Sequence, residues 1–290
     1  MSEPGFSLAI GRTPMAAGLR AAGALPDGTR IDFAAVEPIH RAFAPMARTQ
    51  RYDMAEMAIV TALQALAYGK PIILLPLTLA ARFQHRCIIR LASRPALTPQ
   101  ALRGRRIGVR AYTQTTGMWV RAILAEEAAL PAEAVQWVTQ EGAHVAEYAD
   151  PPFVTRVAEG LKLPDLLREG AIDAAILGND LPGDPDFAPV FPAPEAAARA
   201  WFARHGVAPV NHVLVAARPF AEAHPGRVAA LLAALRAARP VAQPDLLPSG
   251  AEAMAPALTQ VLAACHAQGL LPRRLAVEEV FAPARALGLD

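Results

Sequence analysis

The densest concentration of potential chemistry in the chain is "ARFQHRCIIR" at residues 81–90, where Arg82, Phe83, His85 and Arg86 follow directly on the apolar run "PIILLPLTLA". A guanidinium can grip a carboxylate through two parallel N–H bonds, which an ammonium cannot do. Phe83 offers a flat apolar wall, and the His85 imidazole can carry a proton near neutral pH. Flanking arginines disfavour its charged form unless an anion balances them, which is the setting of a poised proton donor. A solvated turn needs none of this, whereas a pocket for an anion would use all of it.

Other positions join this set. Arg12 follows the apolar "FSLAIG", Glu56 lies inside "MAEMAIV", Asn179 follows "AAIL", and His212 precedes "VLVAAR". A carboxylate within an apolar strand must be paired, protonated or at the strand's mouth, so Glu56 reads either as functional or as the buried partner of Arg82 or Arg12. Thr115 and Thr116 open a helix, most simply as its N-cap, and the free N–H groups there offer a second seat for an anion. Trp119 sits on an apolar helical stripe with Val120, Ile123 and Leu124, which suits the core as well as a pocket wall. His205, His224 and His266 read as surface, and His144 in "EGAHVAEYADPPF" has no assignable role. Together the candidates describe a site for a small, planar, anionic ligand, an aromatic carboxylate fitting best.

The elements that must hold these residues alternate. "FSLAIG" reads as a strand, "TPMAAGLRAAGAL" as a helix with Thr13 as N-cap and Pro14 at its first position, and "RIDFAAVE" as a strand after the turn Pro26-Asp27-Gly28. A helix around "APMARTQ", a strand "YDMAEMAIV", a helix "TALQALAYG" and a strand "IILLPL" continue the alternation of a mostly parallel sheet covered by helices. A second set runs from "RIGVRAY" through "TTGMWVRAILAEEA", "AVQWVTQ" and "KLPDLLREG" to "DAAILGND". "NHVLVAAR" then supplies one more strand, followed by helices that need a sheet to pack on. The expected fold is therefore α/β with two lobes, each an open mixed sheet with flanking helices. Residues 1–92 plus 212–290 form the first lobe and 93–211 the second, with ligands bound in the cleft at the carboxyl ends of strands.

Composition narrows the function classes. At 290 residues and 53% apolar the chain can bury a full core. A formal net charge of +2 with no basic block argues against a nucleic-acid partner. The longest apolar stretch, "AIVTALQALAYGKPIILLPLTLAA", is interrupted by Gly69, Lys70, Pro71 and Pro76, so no membrane span is expected. Cys87 and Cys265 are isolated and read as reduced thiols. The start "MSEPGFSLAIG" lacks a basic n-region, and the expected location is the cytoplasm. There is no P-loop, GxGxxG, HExxH or GxSxG, which removes the ATPase, Rossmann dehydrogenase and serine hydrolase readings. A homo-oligomer is left open.

Taken in order, "YDMAEMAIVTAL", "ILLPLTLAARFQHRCIIR", "LTPQALRGRRIGVRAYTQTTGMWVRAILAEE", "LLREGAIDAAIL" and "HGVAPVNHVLVAARPFAEAHP" resemble the 4,5-dihydroxyphthalate decarboxylase family. The resemblance implies a type II periplasmic-binding-protein-like fold and a cofactor-independent decarboxylation of a hydroxylated aromatic dicarboxylate. No compact ligand cluster supports a metal, although a divalent ion bridging two ring hydroxyls is left open. On this reading His85 donates the proton, and Glu56 or His212 meets the ring hydroxyls. Arg82, Phe83, Arg12, Thr115, Thr116, Trp119 and Asn179 hold the substrate. Gln84 and Arg86 depart from the family's usual pattern around the histidine. The alternative is a non-catalytic solute-binding protein for a small organic anion, using the same arginines.

Overall fold

Short apolar runs punctuated by Gly and Pro become strands, and the longer runs with helical spacing become the helices between them. The computed structural model describes residues 5–158, 160–178, 181–240, 242 and 245–290. It divides into unit 1, Met1–Arg82, Val210–Ala263 and Leu271–Asp290, and unit 2, Phe83–Pro209 and Ala264–Leu270. The first passage through unit 1 is β1 (Phe6–Ala9), α1 (Pro14–Ala22), β2 (Ile31–Phe33), α2 (Phe43–Thr49), β3 (Met54–Ala58), α3 (Ile59–Ala67) and β4 (Ile72–Ala81). Next come β5 (Ile88–Leu91), β6 (Arg106–Val109), α4 (Thr115–Ala128), β7 (Gln136–Thr139), β8 (Val154–Arg156), α5 (Leu163–Glu169), β9 (Ala174–Ile176), β10 (Phe187–Pro189) and α6 (Pro194–His205). The chain ends with β11 (Val210–Ala217), α7 (Arg218–Ala223), α8 (Pro225–Ala237), α9 (Ala251–Ala267) and α10 (Val277–Ala286).

In unit 1 the strand order is β2-β1-β3-β11-β4. β1 pairs parallel with β2 and β3, while β11 runs antiparallel between β3 and β4. The carboxyl ends of β1, β3 and β4 therefore share one edge with the amino end of β11. β3 and most of β4 are buried on both faces, as the unbroken apolar run of β4 requires. Pro76 is tolerated within β4 because β4 ends the sheet. That edge is covered by residues 248–250, through Thr78 N–H to the Pro248 carbonyl and Gly250 N–H to the Pro76 carbonyl.

In unit 2 the order is β10-β5-β9-β6-β7-β8, with β5 antiparallel to β9 and β10 and the remaining pairs parallel. β5 therefore belongs to this sheet, and the units divide at Arg82/Phe83 and Pro209/Val210, ten and two residues earlier than the sequence reading placed them. The apolar pattern of "CIIR" fits either sheet; pairing with Ala175 and Ile176 decides it.

Local signals explain several element ends. Thr13 caps α1 by accepting from Ala16 N–H, Pro14 opens it, and Gly23 closes it in the left-handed region. α4 departs from expectation. Its N-cap is Gln114, with no side-chain cap bond, and Thr115 and Thr116 are its first helical residues, both buried. Among the described residues no helix is long and apolar enough to cross a membrane.

Gly108 in β6 shows how closely unit 2 is packed. A Cβ there would lie 2.6 Å from Ile172 Cδ1 and 2.8 Å from Leu163 Cδ2, both side chains belonging to buried residues. Valine suits a strand better than glycine, yet overpacking of about 1–3 kcal/mol should outweigh that gain. Gly108→Val should therefore lower the urea midpoint, and Leu163→Ala added to it should cost less than Leu163→Ala alone. Additive costs in the double mutant would contradict the contact.

Candidate functional site

Unit 1 assembles an acid–base pair at the carboxyl end of its parallel strands. Glu56 is directly opposite Leu214 across the β3–β11 ladder, and His212 lies two residues further along β11, opposite Ala58. Residues two apart share a sheet face, and such diagonal neighbours are within reach of long side chains. His212 Nδ1 lies 2.6 Å from Glu56 Oε1, and Gly11 N–H donates to Glu56 Oε2 at 2.7 Å. A Cβ at position 11 would stand 3.0 Å from Glu56 Oε2, so glycine is what lets this backbone come so close.

Burial is the largest single influence on the Glu56 carboxyl and pushes its pKa up. The His212 hydrogen bond and charge, the Gly11 N–H and the Arg20 guanidinium together outweigh it and hold the group below its ordinary value. The partner of Glu56 is thus His212, not the Arg82 or Arg12 of the sequence reading. Arg12 is exposed and pairs with Glu37 at 3.1 Å. With Nδ1 engaged by the carboxylate, the Nε2 of His212 is left to give or take a proton. The His212 side chain keeps 20% of its surface exposed while Glu56 keeps 3%. The Phe43 ring meets the imidazole edge-on at 5.2 Å.

Arg82 follows directly on β4. Because Ala80 is paired with His212 and Ala81 with Val210, Arg82 stands at the same end of the unit 1 sheet as the acid–base pair. It is half-buried, with Nε enclosed.

Unit 2 holds the remaining candidates, several of them inside its core. His85 has no exposed side-chain surface and lies 3.4 Å from Glu127 Oε1. Phe191 and Trp201 contact its ring edge-on at 5.1 and 6.2 Å, and Nδ1 is buried without a hydrogen-bond partner. Burial chiefly lowers its pKa; Glu127 opposes this and Arg204 adds to it, so the arginine involved is neither Arg82 nor Arg86. Glu127 is shared, since Arg204 Nη2 donates to it at 2.5 Å. Beside it is a cavity of about 230 Å³ lined by Thr98, Pro99, Gln100, Glu127, Phe191 and Pro192.

Phe83 packs edge-on against Phe202 at 6.0 Å, and buried Trp119 against Trp201 at 6.4 Å, so Trp119 is core. Gln84 is buried and accepts from the Cys87 thiol, and Arg86 is exposed. His205 stacks on Trp201 at 4.0 Å and contacts Glu126, a more enclosed place than the surface expected for it. Asn179 lies outside the described residues. Among the described residues, no group of three or more His, Cys, Asp or Glu is placed to hold a metal.

The sequence reading missed Gly11, Arg20, Glu127, Trp201 and Arg121. Gly11 had a usable signal, a glycine ending an apolar strand just before a capped helix. Arg121 is buried, and among the described residues no carboxylate stands within ion-pair distance of it. Its Nε donates to Gln268, its Nη2 to the Tyr112 carbonyl, and its plane lies over Tyr112 and Trp137 at 3.9 and 5.2 Å.

Two pH dependences follow. The Glu56 contribution to stability is complete above the ordinary carboxyl value of 4.5 and is lost as pH falls through the lower folded value. Glu56→Gln should cost about 1.5–3 kcal/mol near neutrality, and the deficit relative to wild type should shrink in acid; an unchanged deficit at low pH would contradict the assignment. For His85, the unfolded chain takes up a proton below the ordinary 6.5 that the folded chain refuses, so stability falls as pH drops from there toward the lower folded value. His85→Leu should remove that part of the slope in chemical unfolding between about pH 8 and 5, and curves that stay parallel to wild type would refute it.

No protein-family model matches the chain. The resemblance drawn from the motifs is nevertheless borne out by curated relatives. A Comamonas testosteroni protein named 4,5-dihydroxyphthalate decarboxylase is 28% identical over 98% of this chain and 98% of its own. A Pseudomonas putida protein of the same name is 28% identical over 52% of this chain and 63% of its own. Among solved structures, the alkanesulfonate-binding protein SsuA from Xanthomonas axonopodis pv. citri, bound to MOPS, aligns over 97% of this chain and 98% of its own, with TM-score 0.56 at 14% identity. The desulfurization enzyme DSZB aligns over 96% of each chain, with TM-score 0.54 at 15% identity. The chain has the two-sheet α/β fold of solute-binding proteins and is similar, along its whole length, to a protein named 4,5-dihydroxyphthalate decarboxylase.

Proposed function

We propose that this chain is a carboxy-lyase that removes one carboxyl group from a hydroxylated aromatic dicarboxylate such as 4,5-dihydroxyphthalate. The substrate class comes from the relatives' name, and the observation that carries the chemistry is the Glu56–His212 pair. In 4,5-dihydroxyphthalate each carboxyl is para to a ring hydroxyl. Electron release from that oxygen makes the carboxyl-bearing carbon basic enough to accept a proton, and loss of carbon dioxide then restores aromaticity. The step needs a general acid over the ring, an anchor for the retained carboxylate and little else. No electron-sink cofactor is required.

The proton donor in this reading is His212, not His85. His85 is enclosed on all sides, whereas His212 keeps an exposed edge and a carboxylate on Nδ1 that fixes its orientation. Glu56 supports the imidazolium without touching substrate. Arg82, at the same sheet end, has the fork geometry to hold the retained carboxylate.

Incubation with 4,5-dihydroxyphthalate should release carbon dioxide and leave the catechol monocarboxylate. His212→Gln should lower kcat by about 10²-fold or more with substrate affinity kept within a few fold. Arg82→Met should raise KM first, and His85→Gln should remain active wherever it folds. Binding of the dicarboxylate without turnover would overturn the enzyme reading in favour of a solute-binding role. Full activity in His212→Gln would overturn the donor assignment.

A further inference from the structure

The Ile10–Gly11 peptide, between the end of β1 and the cap of α1, is bonded on both sides. Its N–H donates to Glu56 Oε2, and its carbonyl accepts from Arg20 Nη2. Arg20 lies in the second turn of α1, and helical side chains lean toward the helix N-terminus, which brings its guanidinium back over the strand end. The guanidinium lies against the Phe33 ring at 4.7 Å, and its Nε is buried with no acceptor. The bonds form one unbroken series: Arg20 to the Ile10 carbonyl, Gly11 N–H to Glu56, and Glu56 to His212. A cation on a peptide oxygen withdraws electron density from the amide nitrogen and makes its N–H a stronger donor, so bonds in series reinforce one another.

Resting on the decarboxylase reading, we propose that Arg20 is a positioning residue, which acts through the polarised Ile10–Gly11 peptide to hold the Glu56 carboxylate in the state and orientation that set the His212 proton donor. Arg20 touches no substrate in this scheme. The charged groups facing the series are few: His212 from β11 and Arg20 from α1 act on Glu56, while Arg12 and Glu37 act on Arg20. Arg12 and Glu37 are exposed and paired with each other, so solvent screens them.

Ile–Gly pairs occur twice in the chain, at Ile10–Gly11 and Ile107–Gly108. Labelling with carbonyl-¹³C isoleucine and ¹⁵N glycine therefore gives two amide signals, with Gly108 as the internal control. The Gly11 amide should titrate in acid with its Glu56 partner, and Glu56→Gln should abolish that titration. In Arg20→Met, which keeps the packing on Phe33, the Gly11 midpoint should move to higher pH while Gly108 stays in place. Arg20→Lys, which restores a charged donor, should return it part of the way. With substrate, Arg20→Met should lower kcat about tenfold with KM little changed and move the acid limb of the pH–rate profile upward. An unmoved Gly11 midpoint in Arg20→Met overturns the proposal, as does a loss expressed only in KM. The amide titration needs no substrate, so a chain that lacks decarboxylase activity would fail the functional reading while the Arg20-to-Glu56 link was still tested.

Discussion

The arrangement of unit 1 follows from one constraint: Glu56 is a charged carboxylate in the middle of a strand buried on both faces. An ion in such a place costs several kcal/mol unless its oxygens are met by good donors. Each donor makes a demand on the path of the chain. His212 requires β11 to lie beside β3 in a register that puts residue 212 two places from the residue opposite Glu56. Gly11 requires β1 to end level with Glu56 and to lack a side chain there. Arg20, which bonds the Ile10 carbonyl and reaches Glu56 through its charge alone, requires α1 to begin almost at once, which the Thr13 cap and Pro14 ensure. The long excursion of the chain between β4 and β11 is compatible with these demands because His212, Gly11 and Arg20 all meet at one sheet end.

Unit 2 buries a charge by other means. Arg121 makes no ion pair among the described residues, yet its guanidinium is delocalised and weakly hydrated, and it spreads its charge over two aromatic faces while giving N–H bonds to Gln268 and to a backbone carbonyl. Burial still lowers its pKa, and the same dry surroundings push the Cys265 thiol up to about 12. Gln268 also donates to the Met118 carbonyl, so the short return of Ala264–Leu270 is fastened to α4 at two points. A buried ion bonded to neutral groups serves here to hold segments together. In unit 1, a paired ion leaves one nitrogen available for chemistry.

What the sequence disclosed divides along the same line. The alternation of strands and helices, the Thr13–Pro14 helix start and the burial of "IILLPL" are local properties, and composition and spacing reveal them. The partner of Glu56 is 156 residues away, a matter of strand pairing that no local pattern encodes. The allegiance of "CIIR" was hidden for the same reason, since an apolar strand carries no mark of the sheet it joins. His85 was misread through its sequence neighbours. It sits in a short 3₁₀ turn that directs the imidazole inward, toward Phe191 and Trp201, residues that look in the sequence like ordinary loop and helix surface. Glu127 and Arg204 gave no signal, because charges on helices are usually solvated.

The fold alone does not choose between holding an anion and transforming it, since its structural neighbours include a binding protein and an enzyme. The charge arithmetic of the unit 1 pair bears on that choice. A site built only to hold an organic anion gains from an uncompensated cation and loses from a buried carboxylate, which repels the ligand and costs desolvation. Glu56 beside His212 cancels the attraction that an imidazolium would offer. What the pair supplies instead is an imidazole held in one orientation by the Glu56 carboxylate on Nδ1, on a side chain that stays partly exposed. Those properties add little to affinity, and they are what proton transfer to a ring carbon requires.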